Sequence, residues 1–339
     1  MNILVTGAAG FIGSHLVEHL LRLNHDVVGL DNFDDLYDPK TKEDNLRIAA
    51  GSPRFELVRG DILGGKLLED LFAKRTFDVV VHLAAKAGVR PSIADPVSYI
   101  RTNVEGTLNL LELSRKSGIP KFIFASSSSV YGDSGRIPFR EDEQVDQPVS
   151  PYAASKKAGE LLCYNYHQMY GIGIYALRFF SVYGPRQRPD MAIHKFTRLI
   201  LEGKPVPVFG EGKMRRDFTF IDDIIQGVLK SIDRVRGYEI INLGESKTIS
   251  VIRLLDVIEK YLGKKAVIEM LPMQAGDVRE TFADISKAGR ILDYKPMVGI
   301  EEGVRRYLEW YGSERDETGR PVGRTSSQTV RENLARQRK

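Results

Sequence analysis

MNILVTGAAGFIG, residues 1–13, decides the fold. Residues 2–6 are a short apolar run of the kind that makes a strand covered on both faces. Gly7, Gly10 and Gly13 follow at once, and Phe11 and Ile12 open an amphipathic stretch that continues to residue 23. The glycines let the backbone turn tightly and approach a pyrophosphate, which then meets free amides at a helix N-terminus. A glycine pattern alone carries little weight. Its place between a strand and a helix gives it meaning. The second strand ends at Asp31-Asn32, where a carboxylate accepts hydrogen bonds from the adenosine ribose hydroxyls and repels a 2′-phosphate. Gly7, Gly10, Phe11, Ile12, Gly13, Asp31 and Asn32 therefore point to a bound dinucleotide, NAD in preference to NADP.

Working outward, residues 2–6, 26–30, 55–58, 79–82, 122–125 and 174–177 read as strands, short and nearly continuous in apolar character. Between them, 11–23, 66–72, 97–117 and 151–170 carry helical periodicity. This alternation predicts an α/β fold, a Rossmann-type doubly wound parallel sheet over residues 1–180. Past Gly184 the rhythm loosens and Pro and Gly scatter through 184–215. Residues 181–312 are expected to form a smaller, mixed α/β substrate lobe, with some later segments returning to the first domain.

Bulk properties exclude several classes. The net charge is +4 over 339 residues, but residues 313–339 hold seven Lys/Arg against four Asp/Glu, so the rest is close to neutral. A basic nucleic-acid surface is not indicated, and the tail reads as a solvated, disordered terminus. The single cysteine, Cys163, permits no internal disulfide, which suits a cytoplasmic setting. Its neighbours Leu161 and Leu162 suggest a buried helix position and not a nucleophile. The N-terminus is a strand and turn, not a signal peptide. No run approaches 18 apolar residues, so no membrane span is expected. No metal site is expected.

Tyr152 and Lys156, in PYAASK (151–156), lie four residues apart on one helical face. A tyrosine is a poor base at neutral pH. A nearby ammonium and the positive nicotinamide ring stabilise the phenolate and bring it toward working range. A chance helix-surface pair is the ordinary reading of Tyr-x-x-x-Lys; the nucleotide turn and the serine cluster 126–129 at a strand end argue against it here. A hydroxyl from that cluster can bond the substrate oxygen and relay its proton to Tyr152, although for Ser129 a polar turn serves equally well.

At this point the chain resembles the extended short-chain dehydrogenase/reductase group of nucleotide-sugar epimerases and dehydratases. The likeness covers residues 1–310 and rests on TGAAGFIG (6–13), GDI (60–62), HLAAKAGVR (82–90), SSSSVYG (126–132), PYAASK (151–156), RFFSVYGPR (178–186) and RRDFTFIDD (215–223). The resemblance implies that Asp61 and Ile62 flank adenine, that Leu83, Ala84, Ala85, Lys86 and Asn103 line the nicotinamide side, and that Ser127, Tyr152 and Lys156 are catalytic. Related dehydratases and decarboxylases carry acids where this chain has Ser128 and Ser129, so C4 epimerisation of a UDP-sugar is favoured. RPDMA (188–192) is similar to UDP-glucuronate 4-epimerases, in which the arginine matching Arg188 faces the sugar carboxylate, and the resemblance implies that Met191 also binds substrate. A guanidinium suits that role because it binds a carboxylate through two parallel hydrogen bonds. Arg90 is a weaker candidate for carboxylate or phosphate. By the same resemblance Arg216 and Arg279 clamp the diphosphate and ribose, and Phe209 belongs to the uracil pocket. Ser181 departs from the Asn or Thr common in relatives. UDP-glucose or UDP-N-acetylglucosamine 4-epimerases, a UDP-glucuronate decarboxylase and a 4,6-dehydratase remain alternatives. Helices 97–117 and 151–170 resemble those that pair in a four-helix homodimer interface.

Overall fold

The computed structural model describes residues 1–274 and 276–313. From residue 314 on, the expected disordered tail lies outside the described residues. The chain runs β1 (Asn2–Thr6), α1 (Phe11–Arg22), β2 (Asp26–Asp31), α2 (Pro39–Leu46), β3 (Phe55–Arg59), α3 (Gly65–Lys74), β4 (Val79–His82), α4 (Val89–Ala94) and α5 (Pro96–Ile100). A π-turn (Arg101–Glu105) leads into α6 (Gly106–Lys116), β5 (Lys121–Ser127), α7 (Pro151–Tyr170) and β6 (Gly173–Phe179). There follow β7 (Ser181–Tyr183), α8 (Ala192–Glu202), β8 (Pro205–Phe209), β9 (Arg215–Arg216), β10 (Phe218–Phe220) and α9 (Ile221–Arg234). The last elements are β11 (Tyr238–Leu243), β12 (Ile249–Ser250), α10 (Val251–Leu262), β13 (Val267–Leu271), α11 (Ser286–Leu292) and α12 (Ile300–Ser313).

Seven strands form one parallel sheet in the order β11-β6-β5-β4-β1-β2-β3. Alternation in β1 explains why both faces need cover. Ile3 and Val5 join the core with α1 and α9, whereas Leu4 joins the opposite core with Leu110 of α6 and Cys163 of α7. Gly159 lets α7 lie close on the sheet, since a Cβ there would collide with the Phe124 ring.

Two details differ from the sequence reading. The segment read as one helix over 97–117 is α5, a π-turn and α6 in succession, because Asn103 is pulled out of regular pitch by contacts described below. The sheet also gains a seventh strand, β11, from the region assigned mainly to the second lobe; its Asn242 and Leu243 pair with Arg178 and Phe179 of β6. The remaining strands pair two by two, β7 with β10, β8 with β13 and β9 with β12. They frame one side of the opening above the sheet.

Candidate active site

Strand order reverses between β1 and β4, and ligands of such sheets bind there, outside the carboxyl ends of the strands. A cavity of about 1130 Å³ opens at that place, lined by residues from the ends of β1, β2, β4, β5 and β6. Gly7 has φ +70°, and a Cβ on it would stand 2.8 Å from the Ala84 amide nitrogen. A Cβ on Gly13 would overlap the Gly7 carbonyl. The turn is thus bare backbone facing the cavity, which is what close approach to a pyrophosphate requires. Asp31 is held at the cavity edge by the Ala9 and Phe33 amides, at 3.0 and 2.8 Å. Each carboxylate oxygen keeps a lone pair for a ribose hydroxyl. Asn32 donates to Asp61 (2.8 Å), which also accepts from the Leu63 amide (2.9 Å). These residues fit NAD.

A buried hydrogen-bond chain ties this turn to α7. The Ala84 amide donates to Thr6 Oγ1 (3.2 Å), which bonds His82 Nδ1 (2.8 Å); His82 Nε2 meets Thr107 Oγ1 (2.9 Å). Thr107 donates its own proton to the Asn103 carbonyl (2.6 Å), so Nε2 carries the imidazole hydrogen and Nδ1 accepts. Burial pushes His82 down to about 3, consistent with a neutral ring. The Asn103 side chain then accepts from the Lys86 amide (2.8 Å) and donates to the Lys86 carbonyl and to Ser155 Oγ, both at 2.9 Å. Ser155 bonds the Tyr152 carbonyl (2.8 Å).

Tyr152 stands in the first turn of α7, whose N-terminus is capped by Ser150 and begins with Pro151. Its phenol faces the same cavity as Ser127 at the end of β5, whose hydroxyl favours the phenolate. Ser129 Oγ in turn bonds Ser127 Oγ at 3.0 Å. Burial raises the Tyr152 pKa above the usual tyrosine range; the nearby Ser127 hydroxyl and then the Arg188 guanidinium oppose it. Lys156, expected to acidify the phenol, is not among the groups that move it here. Its ammonium donates to the Ala125 carbonyl (2.7 Å) and lies 5.2 Å from the Phe124 ring centroid, and burial lowers it to about 8. Beneath the serines, Glu160 accepts from Ser126 (2.6 Å) and twice from Arg178 (2.8 Å each), all three buried. This paired, fully bonded carboxylate fixes the strand end next to Ser127.

Across the cavity Arg188 lies over the Gly88 backbone, where an added Cβ would come within 3.8 Å of Nη2. Asp190 binds its guanidinium through Nε–Oδ1 (3.0 Å) and Nη2–Oδ2 (2.7 Å). Arg90 bonds Asp277 (3.0 Å) and covers the Phe209 ring at 4.7 Å. Arg216 donates to the carbonyls of Arg215 (2.9 Å) and Arg279 (3.3 Å).

The sequence matches the NAD dependent epimerase/dehydratase family over residues 3–244. The chain belongs to that family. It is 46% identical to the UDP-glucuronate 4-epimerase of Thermodesulfobacterium geofontis over 308 residues, 91% of this chain and 95% of that one. Among solved structures it resembles the UDP-glucuronic acid 4-epimerase of Bacillus cereus in complex with UDP-glucuronic acid and NAD, with 41% identity, a TM-score of 0.85 and coverage of 91% and 98%. It also resembles the UDP-glucose 4-epimerase of Thermotoga maritima with UDP-glucose, at 32% identity and TM-score 0.85, covering 92% and 98%.

Within this family member, the turn residues, Asp31, Asn32, Asp61, Ile62, Leu83, Ala84, Ala85, Lys86, Ser127, Ser128, Ser129, Tyr152, Lys156, Ser181, Arg188, Met191, Arg90 and Arg216 all line the one cavity. Three expected residues do not. Asn103 is spent on bridging Lys86 to Ser155, Phe209 lies under Arg90, and the Arg279 side chain is exposed while its backbone serves Arg215 and Arg216. Sequence reasoning missed Tyr37, Tyr99 and Asp190, which line the same wall. Asp190 stood inside RPDMA with a visible signal, an acid two residues from the key arginine; Tyr37 and Tyr99 had none.

Proposed function

We propose that this chain is a UDP-glucuronate 4-epimerase, interconverting UDP-glucuronate and UDP-galacturonate with NAD retained throughout. The carrying observation is that Ser127, Tyr152 and the Arg188 guanidinium face one cavity, with Ser127 and Arg188 both close enough to influence the phenol. Relatives named for this activity support the substrate. NAD, when bound, supplies the acceptor and later the donor for the hydride at C4. Tyr152 takes the C4 hydroxyl proton while Ser127 holds the oxygen and Arg188 favours the phenolate; Lys156, held on the Ala125 carbonyl one turn along α7, lines the same cavity. While C4 is a ketone the substrate is a β-keto acid prone to losing CO₂. Arg188 keeps the carboxylate bonded and near the ring plane, where the breaking bond is poorly aligned with the carbonyl π system. Ser128 and Ser129 provide no acid for dehydration. Arg216 holds the diphosphate, and Arg90, backed by the Phe209 ring, borders the uracil end. Residues 181–312 form the nucleotide-sugar lobe, apart from β11.

The active unit is a homodimer in the cytoplasm. Supporting a dimer, α5 and α7 pack together and expose Val97 (68%), Ile100, Leu161 (58%) and Tyr164, apolar side chains that a partner helix pair would cover. Among the described residues no helix is long and apolar enough to cross a membrane.

A second reading, epimerisation of a neutral UDP-hexose, is favoured by one observation: Asp190 already neutralises Arg188. Incubation with UDP-glucuronate, UDP-glucose and UDP-N-acetylglucosamine in parallel, with products followed by NMR, decides between them. UDP-galacturonate as the dominant product is expected; turnover of a hexose alone overturns the assignment.

A further inference from the structure

The pairing of Arg188 with Asp190 reproduces, within the protein, the contact that a uronate would make. One edge of the guanidinium, Nε and Nη2, is engaged at 3.0 and 2.7 Å by the two oxygens of one carboxylate. A sugar carboxylate seeking the same side-on pair of parallel hydrogen bonds meets that edge occupied. The two partners differ in surroundings. The Arg188 side chain is 18% exposed, set over the Gly88 backbone and within electrostatic reach of Tyr37, Tyr99 and Tyr152. The Asp190 side chain is 50% exposed, at the water edge of the cavity. Asp190 can therefore return to water cheaply, whereas a buried guanidinium left without an anion is costly.

We propose that Asp190 is a specificity-determining residue, an internal stand-in carboxylate that holds Arg188 in the free enzyme and is exchanged for the substrate's carboxylate when a uronate binds. The inference rests on the reading that Arg188 receives the sugar carboxylate. Exchange of one carboxylate for another keeps Arg188 paired with an anion both with and without substrate. It also means that a neutral hexose leaves the pair closed, while a uronate must open it. Asp190 thus acts through Arg188, and its effect falls on binding and not on the chemical step.

The test compares the NAD-loaded wild type with Asp190→Asn and Asp190→Ser, measuring kcat and KM for UDP-glucuronate and UDP-glucose and the Kd of UDP. Asparagine retains a carbonyl to orient Arg188 but removes the competing charge. Loss of a half-exposed competitor lowers KM for UDP-glucuronate by about three- to fivefold, with kcat unchanged, because ground state and transition state gain alike. The gain shrinks as salt is raised, the Kd of UDP is unchanged, and KM for UDP-glucose, which brings no carboxylate to Arg188, does not fall with it. An unchanged KM for UDP-glucuronate in both variants overturns the exchange. So does a raised KM, which would mean that Asp190 merely orients Arg188. Failure of the substrate assignment is visible separately, as a wild type that does not turn over UDP-glucuronate at all.

Discussion

At Tyr152 two influences oppose each other: burial favours the neutral phenol, and the Ser127 hydroxyl and Arg188 guanidinium favour the phenolate. The guanidinium is therefore placed to serve the base as well as the substrate. Replacing Arg188 by alanine removes the anchor for the carboxylate and its charge from the wall facing Tyr152. KM for UDP-glucuronate should rise by roughly tenfold or more, the loss of a charge-assisted pair worth about 1.5–3 kcal/mol, and UDP-pentose should appear among the products. Product separation by NMR checks it; an unchanged product ratio with unchanged KM removes Arg188 from the site. The catalytic residues were legible because their chemistry is local: Tyr152 and Lys156 sit one helical turn apart, and Ser127 ends a strand. Asp190 was not singled out although it stands two residues from Arg188, because spacing alone does not say that both its oxygens bind the guanidinium.

The helix read over 97–117 illustrates what periodicity leaves out at the level of elements. A π-turn inserts a residue without disturbing the apolar pattern on either side, so the sequence carries no mark of it. What makes it stable is tertiary: Asn103, 2% exposed, exchanges two hydrogen bonds with the Lys86 backbone and one with Ser155. β11 was hidden for a related reason. It reaches the sheet from late in the chain, and long-range pairing has no local signature, whereas β1, α1 and β2 announce themselves in consecutive residues. Asn103→Ala should leave the part-buried Lys86 amide and carbonyl without their partner. The cost is on the order of 1–2 kcal/mol, a fall in melting temperature of about 2–3 °C in a chain of this size. Because Lys86 lines the cavity, NAD should also dissociate faster from the variant. Thermal unfolding and the NAD off-rate check this together; a wild-type melting curve would mean that the bridge does not support α7.

For the whole molecule the same burial that shapes the site sets the response to acid. His15 and His194 are lowered to about 4 and His82 to about 3, each chiefly by burial, from an ordinary value near 6.5. Their folded pKa values are depressed, so below pH 6.5 the unfolded chain takes up protons that the native protein refuses. Stability is intact above that pH and falls as pH drops toward 4, by on the order of 2 kcal/mol per histidine at pH 5. Two buried carboxyls act in the opposite sense. Asp217 and Glu245 are both raised to about 6 by burial, so the native state protonates before the unfolded one and gains on the order of 1 kcal/mol from each by pH 5. The histidines outweigh the carboxyls, leaving a net loss of about 3–4 kcal/mol between pH 7.5 and 5, a large part of the margin of an ordinary domain. Urea unfolding across that range measures it. In His82→Asn, whose amide does not titrate, the slope should flatten by the share of one group. A slope identical to wild type would show that His82 already takes up its proton in the folded protein, and with that the neutral Thr6–His82–Thr107 link between the cofactor turn and α7 would fail.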